Sequence, residues 1–200
     1  GGIFTVRCHD NAGNLKWEQK SHNLVVNVGL ADMNTKYFKG STYTAAWYIG
    51  LVNNTSASTT FSGGDTLASH AGWDENSSYS GTRPQVTFGN ATLADPSNIN
   101  NSASTATFTM NANATISGAF LCNVASGTSG LLFSASDFQS PGDRTVVSGD
   151  VLNVRLVQGV VEKRPVIVAR FDRLAVDGEH VVADLKVQPL LVGRPLPEDP

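Results

Sequence analysis

Short runs in which apolar and polar residues alternate, set apart by clusters of Gly, Asn, Asp and Pro, decide most of what this 200-residue chain can fold into. Side chains on a strand point to opposite faces in turn, so such runs read as half-buried strands. Residues 106–112 alternate Ala, Phe and Met with Thr and Asn throughout. In 151–156 the inward set is Leu152, Val154 and Leu156, and in 83–88 it is Val86 and Phe88. In 43–51 the odd positions Tyr43, Ala45, Trp47, Ile49 and Leu51 share a face. Two further strands are expected at 116–124 and 130–134. At the N-terminus, runs 5–9 and 15–19 flank the turn Asp10-Asn11-Ala12-Gly13-Asn14, a hairpin signal.

One helix interrupts this pattern. Leu30, Met33, Tyr37 and Phe38 recur at three-to-four-residue spacing, which predicts a short amphipathic helix over roughly 28–38. Charged residues make up only 16% of the chain, and Ser, Thr, Asn and Gly take their place, which favours turns and strands over surface helices. The expected fold is all-β: an antiparallel β-sandwich of jelly-roll type, each sheet with one wet face. The loops 52–64 and 93–104 resemble the crossovers of such a topology.

Composition breaks after residue 157. From 158 to 200 there is no Ser, Thr or Asn, and five of the eight prolines lie there. Two apolar runs around Asp177-Gly178-Glu179 predict a β-hairpin, followed by a Pro-rich extended arm. The expected division is a sandwich domain, 1–157, with its N-terminal hairpin and helix, and a C-terminal hairpin and arm, 158–200. A two-stranded hairpin is marginal alone in water, so this part is expected to pack on the main domain or on a neighbouring subunit.

The search for chemistry yields no catalytic, cofactor-binding or metal-ligating assignment. No GxSxG, phosphate loop or dinucleotide fingerprint is present, and the Gly-rich turns 63–66 and 127–130 lack a following Lys in phosphate-loop spacing. His9, His22, His70 and His180 are scattered, although His9 and His22 could meet across the first hairpin. Asp65, Asp74, Glu75 and Asp95 lie in Asn- and Gly-rich loops where an oxygen-ligand cation site is conceivable. Asp74 and Glu75 make a poor glycosidase pair, because neighbours on a strand point apart. Trp47, Tyr48, Trp73 and Tyr79 are either a sugar-binding surface or core packing. Asn53, Asn54, Asn76, Asn90, Asn100 and Asn113 begin N-x-S/T triplets, expected by chance in such a composition.

Cys8 and Cys122 have no metal-type spacing and read as two free, partly buried thiols, which fits folding in a reducing cytoplasm. The net charge of −3 argues against a nucleic-acid partner, which needs a basic track. No apolar run is long enough to span a bilayer, so no membrane partner is expected. No signal peptide is visible, although a leader ahead of Gly1-Gly2 could have been removed.

Several segments together resemble a group of tailed-phage virion proteins. They are Trp47-Tyr48-Ile49-Gly50-Leu51, the run from Gly64-Asp65-Thr66 to Trp73-Asp74-Glu75, Tyr79-Ser80, Thr82-Arg83-Pro84, Asn101-Ser102-Ala103-Ser104, Ile116-Ser117-Gly118-Ala119-Phe120-Leu121 and Ser148-Gly149-Asp150. The resemblance covers roughly 1–157 and carries no catalytic residues. It implies a structural, non-enzymatic virion protein resembling the capsid cement or decoration proteins of short-tailed phages. The implied partners are the major capsid protein and further copies of itself, as dimers or trimers. The implied location is the capsid surface, after assembly in the host cytoplasm. The alternative is a tail or head-fibre module that binds a host receptor or glycan.

Overall fold

A carboxylate organises the first turn. Asp10 accepts the backbone N–H groups of Ala12 and Asn14, both at 2.9 Å, and Gly13 takes a positive φ of 86°. This closes β1 (Gly2–His9) onto β2 (Leu15–His22) in antiparallel register. The structure, a computed structural model, describes residues 1–43, 46–53, 59–93, 97–138 and 142–159, and the backbone of 174–177 and 180–183. The chain divides into two compact units, Gly1–Val161 and Glu162–Pro200.

In the first unit β3 (Leu24–Val25) leads into α1 (Asn27–Phe38). Then come β4 (Trp47–Asn53), β5 (Asp74–Asn76), β6 (Gln85–Val86), β7 (Ile99–Asn100) and β8 (Ala106–Thr109). The last four strands are β9 (Ala114–Cys122), β10 (Leu132–Asp137), β11 (Arg144–Val146) and β12 (Val151–Gln158). One sheet has five strands in the order β2-β1-β12, with β7 and β8 sharing the far edge of β12. The other has seven, in the order β3-β10-β9-β4-β5, with β11 also on β9 and β6 also on β4. Every pairing is antiparallel. The expected all-β antiparallel sandwich with one short helix is therefore the observed architecture.

The principal core lies between the sheets. Phe4, Val6 and Cys8 of β1 and Leu152, Val154 and Leu156 of β12 meet Ile49 and Leu51 of β4 and Ile116 and Leu121 of β9. The β12 triplet is the set the alternation predicts. Buried Asn101 bridges the gap between β7 and β8: its side-chain amide donates to the carbonyls of Ser104 and Val154, and its oxygen accepts the Leu156 N–H at 2.6 Å. Buried polar groups are tolerable when bonded in this way.

The expectation of one wet face per sheet fails for the seven-stranded sheet. Residues 116–122 of β9 are buried without a break. A second apolar cluster, with Val52, Phe120, Cys122 and Leu132, lies on its outer face, roofed by Val26, Leu67 and Trp73. The roof is the segment 59–73, and Asp65 fixes its shape by accepting the Trp73 indole N–H and the Ser62 backbone N–H, both at 3.0 Å. A sheet covered on both sides needs apolar residues at consecutive positions, which is what β4 and β9 supply.

In the second unit, β13 (Leu174–Asp177) and β14 (His180–Ala183) form a two-stranded sheet with Asp177 opposite His180. The hairpin expected around Asp177-Gly178-Glu179 is thus present. The Pro-rich arm lies outside the described residues.

Candidate docking groove

The helix begins where expected, but its apolar stripe does not enter the core. Gly29 is its one buried residue, because the helix rests on β10 through that glycine: a Cβ there would meet the Phe133 carbonyl oxygen at 2.5 Å. The stripe faces outward instead, with Leu30 41%, Met33 46%, Tyr37 80% and Phe38 79% exposed, and Tyr43 beyond the helix 52% exposed. Three exposed aromatics of this kind present on the order of 400 Å² of ring surface. That is the size of the largest apolar patch on a typical monomer, and such patches are often functional.

Met33 and Tyr37 form one wall of a groove of about 530 Å³. Trp47, Val86 and Phe133, on strands of the seven-stranded sheet, line it together with Phe88. Trp47 is fixed twice. Its indole N–H donates to the Tyr43 hydroxyl at 2.7 Å, and its ring meets Phe133 edge-on with centroids 5.4 Å apart. Asp32 and Lys36 sit at the rim, 4.0 Å apart, and Lys36 also donates to the Thr42 carbonyl. The groove can bury apolar side chains of a partner; its lining offers few groups for bond-making chemistry.

The other residues singled out from the sequence are held in structural roles. Trp73 and Tyr79 are only 3% and 7% exposed, so of the two readings the sequence allows them, core packing is the one observed. Trp73 stacks on His70 at 3.9 Å and 18°, and the Tyr79 ring meets Phe108 edge-on. Tyr48 packs against the outer cluster. Glu75 accepts two hydrogen bonds from Arg83, at 2.7 and 2.6 Å, while Asp74 is exposed on the opposite side of β5. Asp65 is occupied by Trp73 and Ser62, and no cluster of three or more potential metal ligands occurs among the described residues. Asp95, Asn54 and the His180 side chain lie outside the described residues.

His9 and His22 do not meet. His9 pairs at the turn end of the hairpin, opposite Leu15, and His22 at the far end, opposite Ile3. Six residues of strand separate those ends, roughly 20 Å. Cys8 and Cys122 are free and fully buried, in different apolar clusters. Burial, with the Asp150 charge nearby, pushes the Cys8 thiol up to about 12, and burial raises Cys122 as well. Neither is a ready nucleophile. Of the Asn-x-Ser/Thr positions, Asn76 is buried and bonded to Asn53, and Asn113 accepts the Ser148 N–H. The groove's use of α1 was hidden from sequence reasoning, since the same periodicity describes a helix packed inward.

Fold and site together define an antiparallel β-sandwich with an exposed apolar face beside a groove. Neither a family model, nor a curated protein, nor a solved structure matches this chain.

Proposed function

We propose that the chain is a structural, non-enzymatic part of a tailed-phage particle: a jelly-roll-like cement or decoration protein on the outer capsid shell, bridging neighbouring capsomers. The observation that carries this reading is the apolar face of α1 with the groove beside it, which suits an aliphatic or aromatic ridge of the major capsid protein. Its area is about half of what one partner contributes to a standard protein interface, so surrounding polar surface completes the contact. A protein that binds the assembled shell and not its separated subunits stabilises the shell by mass action. Self-association into dimers or trimers would multiply the contacts each particle makes. The commitment of Asp65, Glu75, His70 and Arg83 to internal bonds favours binding over turnover. The particle as the setting rests on the resemblance read from the sequence at residues 47–51 and 64–75.

Cryo-electron microscopy of intact particles should find the protein in many copies on the icosahedral lattice. Density confined to the tail would sink the capsid reading in favour of a tail or head-fibre module. On purified shells, Tyr37→Glu should abolish binding without lowering the melting temperature, because Tyr37 is exposed.

A further inference from the structure

The five-stranded sheet carries a different feature on its outer face. Strand register sets Thr5 directly between Lys20 of β2 and Arg155 of β12. Two residues along, Arg7 lies between Glu18 and Asn153. With His9, the side chains of Thr5, Arg7, Lys20, Asn153 and Arg155 surround a polar trough of about 470 Å³, rimmed by Ser102 and Thr105, and Glu18 lies beside it. That volume is in the range of small-molecule sites and well above what one ion needs.

The charge in the trough is unbalanced. Arg7, Lys20 and Arg155 face one carboxylate, Glu18, which bonds Arg7 at 2.6 Å and Lys20 at 3.4 Å. Arg155 has no ion-pair partner among the described residues. A chain of net charge −3 therefore concentrates a local surplus of cations on one face. Lys20 and Arg155 stand two strand spacings apart, roughly 10 Å, and an anion between them would relieve their repulsion. Around the cations lie hydroxyls and an amide. Asn153 is oriented by the Thr107 hydroxyl, which donates to its oxygen at 2.9 Å.

We propose that this trough binds an acidic glycan. The guanidinium of Arg155, aided by Lys20, takes a sugar carboxylate, and Thr5, Ser102, Thr105 and Asn153 meet the sugar hydroxyls. A planar guanidinium fork matches a carboxylate in two hydrogen bonds. No Phe, Tyr or Trp ring lines the trough, so single-stranded nucleic acid lacks a broad stacking platform, and three cations fall short of the track a duplex needs. The proposal does not depend on where in a particle the protein sits.

Titration calorimetry on the full chain tests it, with oligogalacturonate as probe. Its carboxyl-reduced neutral counterpart, inorganic phosphate and a short single-stranded DNA are the comparisons. Oligogalacturonate should bind, and the neutral sugar should bind at least about tenfold more weakly. Lys20→Gln with Arg155→Gln should weaken binding by about tenfold or more at unchanged melting temperature, and Arg155→Lys should fall between. Lys39→Gln, just past the end of α1, should leave binding unchanged. The proposal is overturned by no binding at millimolar sugar, or by equal binding of the neutral sugar. Tighter binding of phosphate or DNA, or an equal loss in Lys39→Gln, overturns it too.

Discussion

Arg83 shows how much a single buried charge can hold together. Its side chain is 2% exposed, and it donates to both Glu75 oxygens and to the carbonyls of Val124 at 3.1 Å and Gly127 at 2.9 Å. It thereby ties the 123–131 loop to β5, with its guanidinium 5.2 Å from the Phe120 ring. Arg83→Met should cost about 3 kcal/mol in urea unfolding, because two carbonyls and a carboxylate lose their donor. Arg83→Lys should recover only part of that, since an ammonium cannot form the fork. Asp150 holds the other end of the sandwich, accepting from Lys16 and from the Val147 N–H. Burial alone would raise its pKa, but those partners outweigh burial and hold it below the ordinary 3.8. The bond therefore stabilises fully above that value and is lost as pH falls through the folded pKa. Asp150→Asn should cost about 2 kcal/mol at neutral pH. The gap to the unsubstituted protein should narrow as pH drops below about 4, as read from melting temperatures. Strand geometry makes the split between Asp74 and Glu75 legible in the sequence. Nothing there marks Arg83 as buried, because its burial depends on carbonyls of a loop some forty residues away.

Among the elements, β8 and β12 are readable residue by residue, since each has one face on the core and one in water. β4 and β9 are recognisable as strands but not as two-sided ones, because whether a segment will roof the sheet is a tertiary matter. The short strands β3, β5, β7 and β11 escape any periodicity, as two or three residues cannot show a period. For α1 the spacing gives the helix and misleads about its partner. Its glycine tests the observed packing. In a free helix, Gly→Ala gains roughly 0.5–1 kcal/mol. Gly29→Ala should instead destabilise, because the added carbon would press on the Phe133 backbone, and it should expose Trp47 to fluorescence quenchers as the groove wall lifts.

At the scale of the molecule, among the described residues every member of both apolar clusters lies before residue 159. A chain ending at Gly159 should therefore keep its near-ultraviolet circular dichroism and unfold in one cooperative step. Loss of that signal would show that residues 160–200 contribute to the core. Alternation foretells the sandwich. The groove and the trough were the least legible part, since they arise from segments far apart in the chain. One backbone hydrogen bond has a wider consequence: the Gly159 N–H donates to the Gly1 carbonyl at 3.0 Å, beside the paired β1 and β12. Entry and exit of the sandwich are thus neighbours, so topologically it is nearly a ring. A circular permutant that joins those ends and opens at the exposed Asn11–Gly13 turn keeps every strand pairing, and the unit can be spliced as a cassette into a surface loop of another protein.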